Sequence, residues 1–142
     1  MKLRLSLLLL IFAIASSCDD NPLPNGSNDS TIAFHIGQTN RTGDDLELIQ
    51  VRKLDSNKLE LEVVYGGGCK VHEFDFYWDG LIMESQPPQA AIIVVHDANR
   101  DGCEALIHEK PVFNLDESEV DIPADLIYHI YNSDKSQMVS TN

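Results

Sequence analysis

The chain has 142 residues and sets 10 Lys+Arg against 23 Asp+Glu, a formal net charge of −13. That sign excludes a nucleic-acid binder, which needs clustered cations against phosphate, and a protein held to anionic lipid by charge alone. A hydrophobic content of 43% is enough for one buried core in one domain.

Residues 1–17 start with the basic Lys2 and Arg4, run through an apolar stretch from Leu5 to Ala15, and end on small residues before Cys18. The stretch is too short to cross a bilayer as a helix, which takes about 20 residues, and its layout is that of an export signal. Ala15-Ser16-Ser17-Cys18 resembles the lipobox of bacterial lipoprotein signal peptides. The resemblance implies cleavage before Cys18, acylation of its thiol and a membrane anchor at that residue. At about 0.8 kcal/mol per buried CH₂, several acyl chains hold a protein permanently. Asp19 and Asp20 follow directly. In lipoproteins an acid there directs either inner-membrane retention or export to the surface, and the address expected here is the outer membrane of the cell envelope. Residues 18–30 are, after Cys18, nearly all Asp, Asn, Ser, Gly and Pro, the composition of a flexible tether. The folded domain is expected over 31–142.

Within that domain the periodicity is two. Thr31–Ile36 is a short strand candidate, and Leu46–Leu54 leads across the turn residues Asp55-Ser56-Asn57 into Lys58–Tyr65. There Leu59, Leu61, Val63 and Tyr65 share one face while Lys58, Glu60 and Glu62 share the other, a strand with one wet side. His72–Trp78 alternates again, with His72, Phe74, Phe76 and Trp78 together, and ends at the turn signal Asp79-Gly80. Ala90–Val95 is continuously apolar and rich in β-branched residues, which predicts a strand buried on both faces. Cys103–His108 and Val112–Leu115 are shorter candidates. In Ala124–Tyr131 the residues Leu126, Ile127, Ile130 and Tyr131 fit a helix face, whereas Leu126, Tyr128 and Ile130 fit a strand. The density of β-branched and Tyr residues favours the strand. Seven or eight short strands, with turn signals about every 8–12 residues, predict an all-β domain, an antiparallel β-sandwich or barrel-like fold.

With Cys18 assigned to lipid, Cys69 and Cys103 remain, and in an oxidising exported compartment such a pair is expected to form a disulfide. Closing a loop of this length stabilises a domain by about 4 kcal/mol on a chain-entropy argument. The same region offers metal ligands: Cys69-x2-His72, then His96-x6-Cys103-x4-His108, types that Zn²⁺ or copper selects. Asp97-x-Asn99-x-Asp101-Gly102 matches the first half of a Ca²⁺ loop, but its twelfth position is His108 rather than a bidentate Glu, and a plain turn uses the same residues. The glycines Gly66-Gly67-Gly68 predict a bulge or a close backbone crossing beside Cys69. No nucleophile motif or paired acid and base stands out, so no catalytic residue is expected.

The segments GGGCKVHEFDFYWDG, ESQPPQA and HDANRDGCEALI, in that order between Tyr65 and Leu115, resemble a group of uncharacterised bacterial lipoproteins. The shared pattern is Gly-Gly-Cys-x2-His-x-Phe followed by a His-Asp loop leading to a second cysteine. The resemblance implies that Cys69, His72, His96 and Cys103 lie together in space, and it implies no activity. The expectation is a lipid-anchored, non-enzymatic binding module of the envelope with a protein or glycan partner. The alternative is an envelope metal-binding protein using the Cys/His cluster.

Overall fold

The computed structural model describes residues 30–115 and 120–142. The expected export signal, Cys18 and nearly all of the expected tether lie outside the described residues. Nine strands are formed among those described: β1 (Thr31–Ile36), β2 (Glu47–Lys53), β3 (Lys58–Gly67), β4 (Glu73–Trp78), β5 (Gln89–Asp97), β6 (Ala105–Glu109), β7 (Val112–Asn114), β8 (Ile127–Asn132) and β9 (Met138–Ser140). They make two sheets, one ordered β1-β4-β5-β8-β9 and one ordered β2-β3-β6, with β7 also paired to β3. The all-β sandwich arrangement expected from the sequence is therefore present, and the sheets do not close into a barrel.

Alternation explains how the sheets meet. On β3, Leu59, Leu61, Val63 and Tyr65 are buried; on β4, Phe74, Phe76 and Trp78; on β5, Ala90, Ile92 and Val94; on β8, Tyr128 and Ile130. These inward faces form one core with Phe113 and Leu115, in which the Phe76 and Phe113 rings stack with centroids 3.8 Å apart. The turn at Asp55-Ser56-Asn57 closes as predicted: the Asn57 N–H donates to Asp55 Oδ1 at 2.9 Å and the Leu54 N–H to the Lys58 carbonyl at 2.9 Å. Gly80 turns the chain after β4 with φ +77°, a conformation glycine adopts without steric cost.

Three features differ from the sequence reading. The larger sheet is mixed, because β1 pairs parallel with β4 and β5 pairs parallel with β8. Alternation reports which face is wet and carries no information on strand direction, so these two pairings depart from the purely antiparallel expectation. Second, β5 is not buried on both faces: Ala91 is exposed and Ile93 half-buried, although Val95 is covered. Among the described residues no second layer covers the outer side of the larger sheet, and β5 tolerates apolar residues there because longer side chains on β4 and β8 flank them. Third, β9 has a sequence too short and polar to have been anticipated.

Tyr128 is fully buried, yet its hydroxyl has no hydrogen-bond partner among the described residues, and burial pushes its pKa up to about 12. An unpaired buried hydroxyl costs about 1–3 kcal/mol. Tyr128→Phe should therefore keep or raise stability, by up to about 1 kcal/mol, read from the midpoint of urea unfolding; a clear loss would mean the hydroxyl is satisfied in solution.

Candidate functional site

The residues singled out for chemistry converge at one end of the sandwich, where the β3–β4 loop meets the β5–β6 loop. Cys69 and Cys103 form a disulfide there, with Cα atoms 5.9 Å apart. A polar latch reinforces it. Asp101 Oδ2 accepts the backbone N–H groups of Cys69 at 2.8 Å and Lys70 at 2.9 Å, and Oδ1 accepts the N–H of Cys103 at 2.9 Å. In return Lys70 Nζ donates to the carbonyls of Asn99 at 2.7 Å and Arg100 at 2.9 Å, and Asn99 Nδ2 donates to the Val71 carbonyl at 2.7 Å. The Cys103 N–H, followed by those of Cys69, the His72 ring and Lys70, holds the Asp101 carboxyl well below the usual carboxylate range.

Behind the latch lie His72 and His96, each 2% exposed. His72 Nε2 stands 3.3 Å from Asp101 Oδ2, His72 Nδ1 stands 2.8 Å from His96 Nε2, and His96 Nδ1 stands 3.1 Å from the Asp45 carbonyl oxygen. Both ends of this chain accept only. His72 must therefore donate from Nε2 and His96 from Nδ1, and the contact between the rings needs a third proton. Three protons on two imidazoles make one positive charge, set against the Asp101 carboxylate. Aromatic faces surround it, with Tyr65 centroids 4.6 Å from His72 and 4.8 Å from His96, and Phe74 at 5.1 Å from His96; such faces favour a cation. Burial, and then the electrostatic influence of His72, lowers the pKa of His96.

Glycines make room for this packing. A Cβ on Gly67 would lie 2.6 Å from the His72 ring and 3.2 Å from Asp101 Oδ2, and one on Gly43 would lie 2.7 Å from the His96 backbone nitrogen. The glycine run thus marks a close approach of side chains, the His72 ring and Asp101 at Gly67 and Ala105 and Ile107 at Gly68, where the sequence suggests a bulge or a backbone crossing. Cys69, His72, His96 and Cys103 do lie together, as the family resemblance implied. Asp101 joins them as the acceptor at the centre, a role the sequence did not announce because a turn aspartate usually faces solvent.

The candidate ligands are otherwise dispersed. Both cysteine sulfurs are in the disulfide, although Cys69, Asp101 and Cys103 are the potential ligands found closest together among the described residues. His108 is exposed on β6, opposite Val64 of β3, and does not join the buried pair. In the Asp97–Gly102 loop, Asp97 Oδ1 accepts the Asn99 N–H at 2.8 Å, Asn99 reaches Val71, and Asp101 points inward. The oxygens that would face a cation in a Ca²⁺ loop serve the turn and the latch, and Lys70 occupies its carbonyls. A cleft of about 540 Å³ beside His96 and Tyr65 is rimmed by Asp44, Asp45, Glu47 and Asp134.

The outer face of the larger sheet holds a second feature that sequence reasoning missed. Ladder partners run His35–Tyr77, Tyr77–Ile93, Ile93–Tyr131 and Tyr131–Met138, so five residues line up across five strands. A cleft of about 440 Å³ lies along this row, with Tyr77, Ala91, Ile93, Tyr131, Asp79 and Lys135 among its lining. Tyr77 is fixed on its far side by His35, whose ring lies 4.7 Å away, and by Arg41, which donates to its hydroxyl at 3.0 Å. The signal was present in the alternation of β4 and β8, whose outward positions hold Tyr where a wet strand usually holds charge.

Two measurements test the latch. Nitrogen-15 spectra of the histidine side chains near about pH 6 should show three protonated nitrogens among the four of His72 and His96; two would mean a neutral pair and overturn the proton count. Asp101→Asn should lower the urea midpoint at neutral pH. Folding holds this carboxyl below its usual range, so its contribution is complete above about pH 4 and lost as the pH falls further. The midpoints of parent and variant should therefore converge in acid, and a constant gap would show that the charge of Asp101 is immaterial.

No family model matches the chain, and no curated protein matches it. Among solved structures it is similar to a putative lipoprotein from Bacteroides fragilis, with a TM-score of 0.52 at 6% sequence identity, over 80% of this chain and 70% of that one. At this identity the likeness is one of fold: a two-sheet β domain of similar path.

Proposed function

We propose that the chain is a lipid-anchored, non-enzymatic binding module of the cell envelope, held in the outer membrane through Cys18 and carried on the tether of residues 18–30. Its binding surface is the outer face of the larger sheet. The observation that carries this reading is the register that lines up Tyr77, Ile93 and Tyr131 beside an open cleft. Half-buried aromatic residues in a row on an uncovered sheet are the composition of a recognition surface, since they offer large contact area at small cost in side-chain entropy. Against catalysis, the acid–base groups His72, His96 and Asp101 are enclosed and satisfy one another, which leaves no atom for a substrate. The lipobox resemblance supports the anchor, and the Bacteroides fragilis neighbour of similar fold also carries a lipoprotein name.

Expression with labelled palmitate tests the anchor. The parent chain should take up label and sediment with membranes, and Cys18→Ser should do neither; a labelled, membrane-bound Cys18→Ser chain would overturn acylation at that residue. Capture from envelope extracts tests the surface. Tyr131→Ala should lose whatever the parent chain retains, and equal retention by both would move the binding site elsewhere.

A further inference from the structure

Resting on the binding-face reading above, we infer that the trench between Tyr77 and Tyr131 takes a neutral oligosaccharide. Its shape follows from the register. Tyr77 on β4 and Tyr131 on β8 are both ladder partners of Ile93 on β5, so their backbones are two strand spacings apart, about 10 Å. Two residues along β5 from Ile93 stands Ala91, the shortest side chain of that face, with His129 opposite on β8. A short residue between taller neighbours gives the trench its depth. Its volume of about 440 Å³ falls in the range of small-ligand clefts, about 300–1,000 Å³.

Area argues against a folded protein as the occupant. A stable interface buries about 800 Å² per partner, whereas this apolar row is one residue deep. On one side it is bordered by Asp75, which pairs with Arg41 and His35. On the other it is bordered by His129, bonded to Gln89 and Ser140 at 2.7 Å each. Charge narrows the choice further. The lining carries one acid, Asp79, and one cation, Lys135, so an anion or a cation would each meet a like charge, while a neutral hydroxyl-rich ligand finds an acceptor and a donor. Lys135 sits in the turn after β8 with φ +59°, and that turn is braced by Asn132 and Asp134 through the Lys135 and Ser136 N–H groups at 2.9 Å. Pyranose rings match this surface: their C–H faces pack on tyrosine and isoleucine, and their hydroxyls bond to the rim. Tyr77 is already held in place by His35 and Arg41, which lowers the ordering cost of binding.

The test uses the full chain in a detergent without a sugar headgroup. Cellohexaose, chitohexaose and β-1,4-mannohexaose are titrated to about 10 mM, enough to detect millimolar Kd values, with calorimetry and amide shifts as readouts. The expected result is saturable binding of at least one hexasaccharide. Tyr131→Ala should weaken it about tenfold or more, Tyr131→Phe should keep it, and Ala91→Trp should abolish it by filling the trench while thermal unfolding stays near that of the parent. If Ala91→Trp fails to fold, the contrast between Tyr131→Ala and Tyr131→Phe decides alone. No binding to any of the three, or binding indifferent to Tyr131→Ala, overturns the proposal. If the parent binds no hexasaccharide but Tyr131→Ala loses an envelope partner that the parent retains, the oligosaccharide is overturned and the binding face stands. If that partner is retained by both, the two readings fall together.

Discussion

Among the described residues the larger sheet is covered on one side only, and most of the molecule's architecture follows from that constraint. Its inward residues, among them Phe74, Phe76, Trp78, Ile92 and Ile130, are buried against β3 and its neighbours. Each fully buried large apolar side chain contributes about 1.5–3 kcal/mol, so the core alone decides which face of each strand turns inward. With that settled, period two leaves no freedom on the other face. Tyr77, Ile93 and Tyr131 are outward because Phe76, Ile92 and Ile130 are inward. The aromatic row is thus a by-product of core register at the level of backbone and a feature of composition at the level of side chain. The first compels those positions to face solvent, and the second fills them with residues that solvent does not favour.

The far end of the sandwich solves a different problem. Two loops, each crossing from one sheet to the other, meet over buried histidines, and their backbone N–H groups would be costly to leave unpaired. One carboxylate satisfies three of them and also balances the charge of the histidine pair. A disulfide and a lysine then tie the same two loops. The arrangement is redundant, covalent and polar together, which suits a small domain whose stability is limited by its size. It also explains why residues that would be first choices for catalysis or metal binding, His72 and His96 with Asp101, face one another and present nothing outward.

These two ends divide the labour. The closed latch holds the strand ends of β3, β4, β5 and β6 in place, and the open row crosses the C-terminal ends of β4 and β8 and the middle of β5. A trench built on paired strands moves little, because each wall is fixed by a ladder of hydrogen bonds.

Much of this was legible from residues alone. The strict alternation of Lys58–Tyr65 and of His72–Trp78 determined their buried faces, because a core needs every second residue of a half-covered strand. Turn chemistry located Asp55–Asn57 and Asp79-Gly80, and the pair Cys69 and Cys103 pointed to their bridge. Tertiary structure decided the rest. The parallel pairings of β1 with β4 and β5 with β8 depend on how distant segments cross, to which local periodicity is blind. The burial of Asp101 depends on three N–H groups, two of them about thirty residues away, which turn it inward against its usual preference. The row from His35 to Met138 exists only through register across five strands. Each of its members is an ordinary outward residue in its own strand, and only pairing between strands places them side by side.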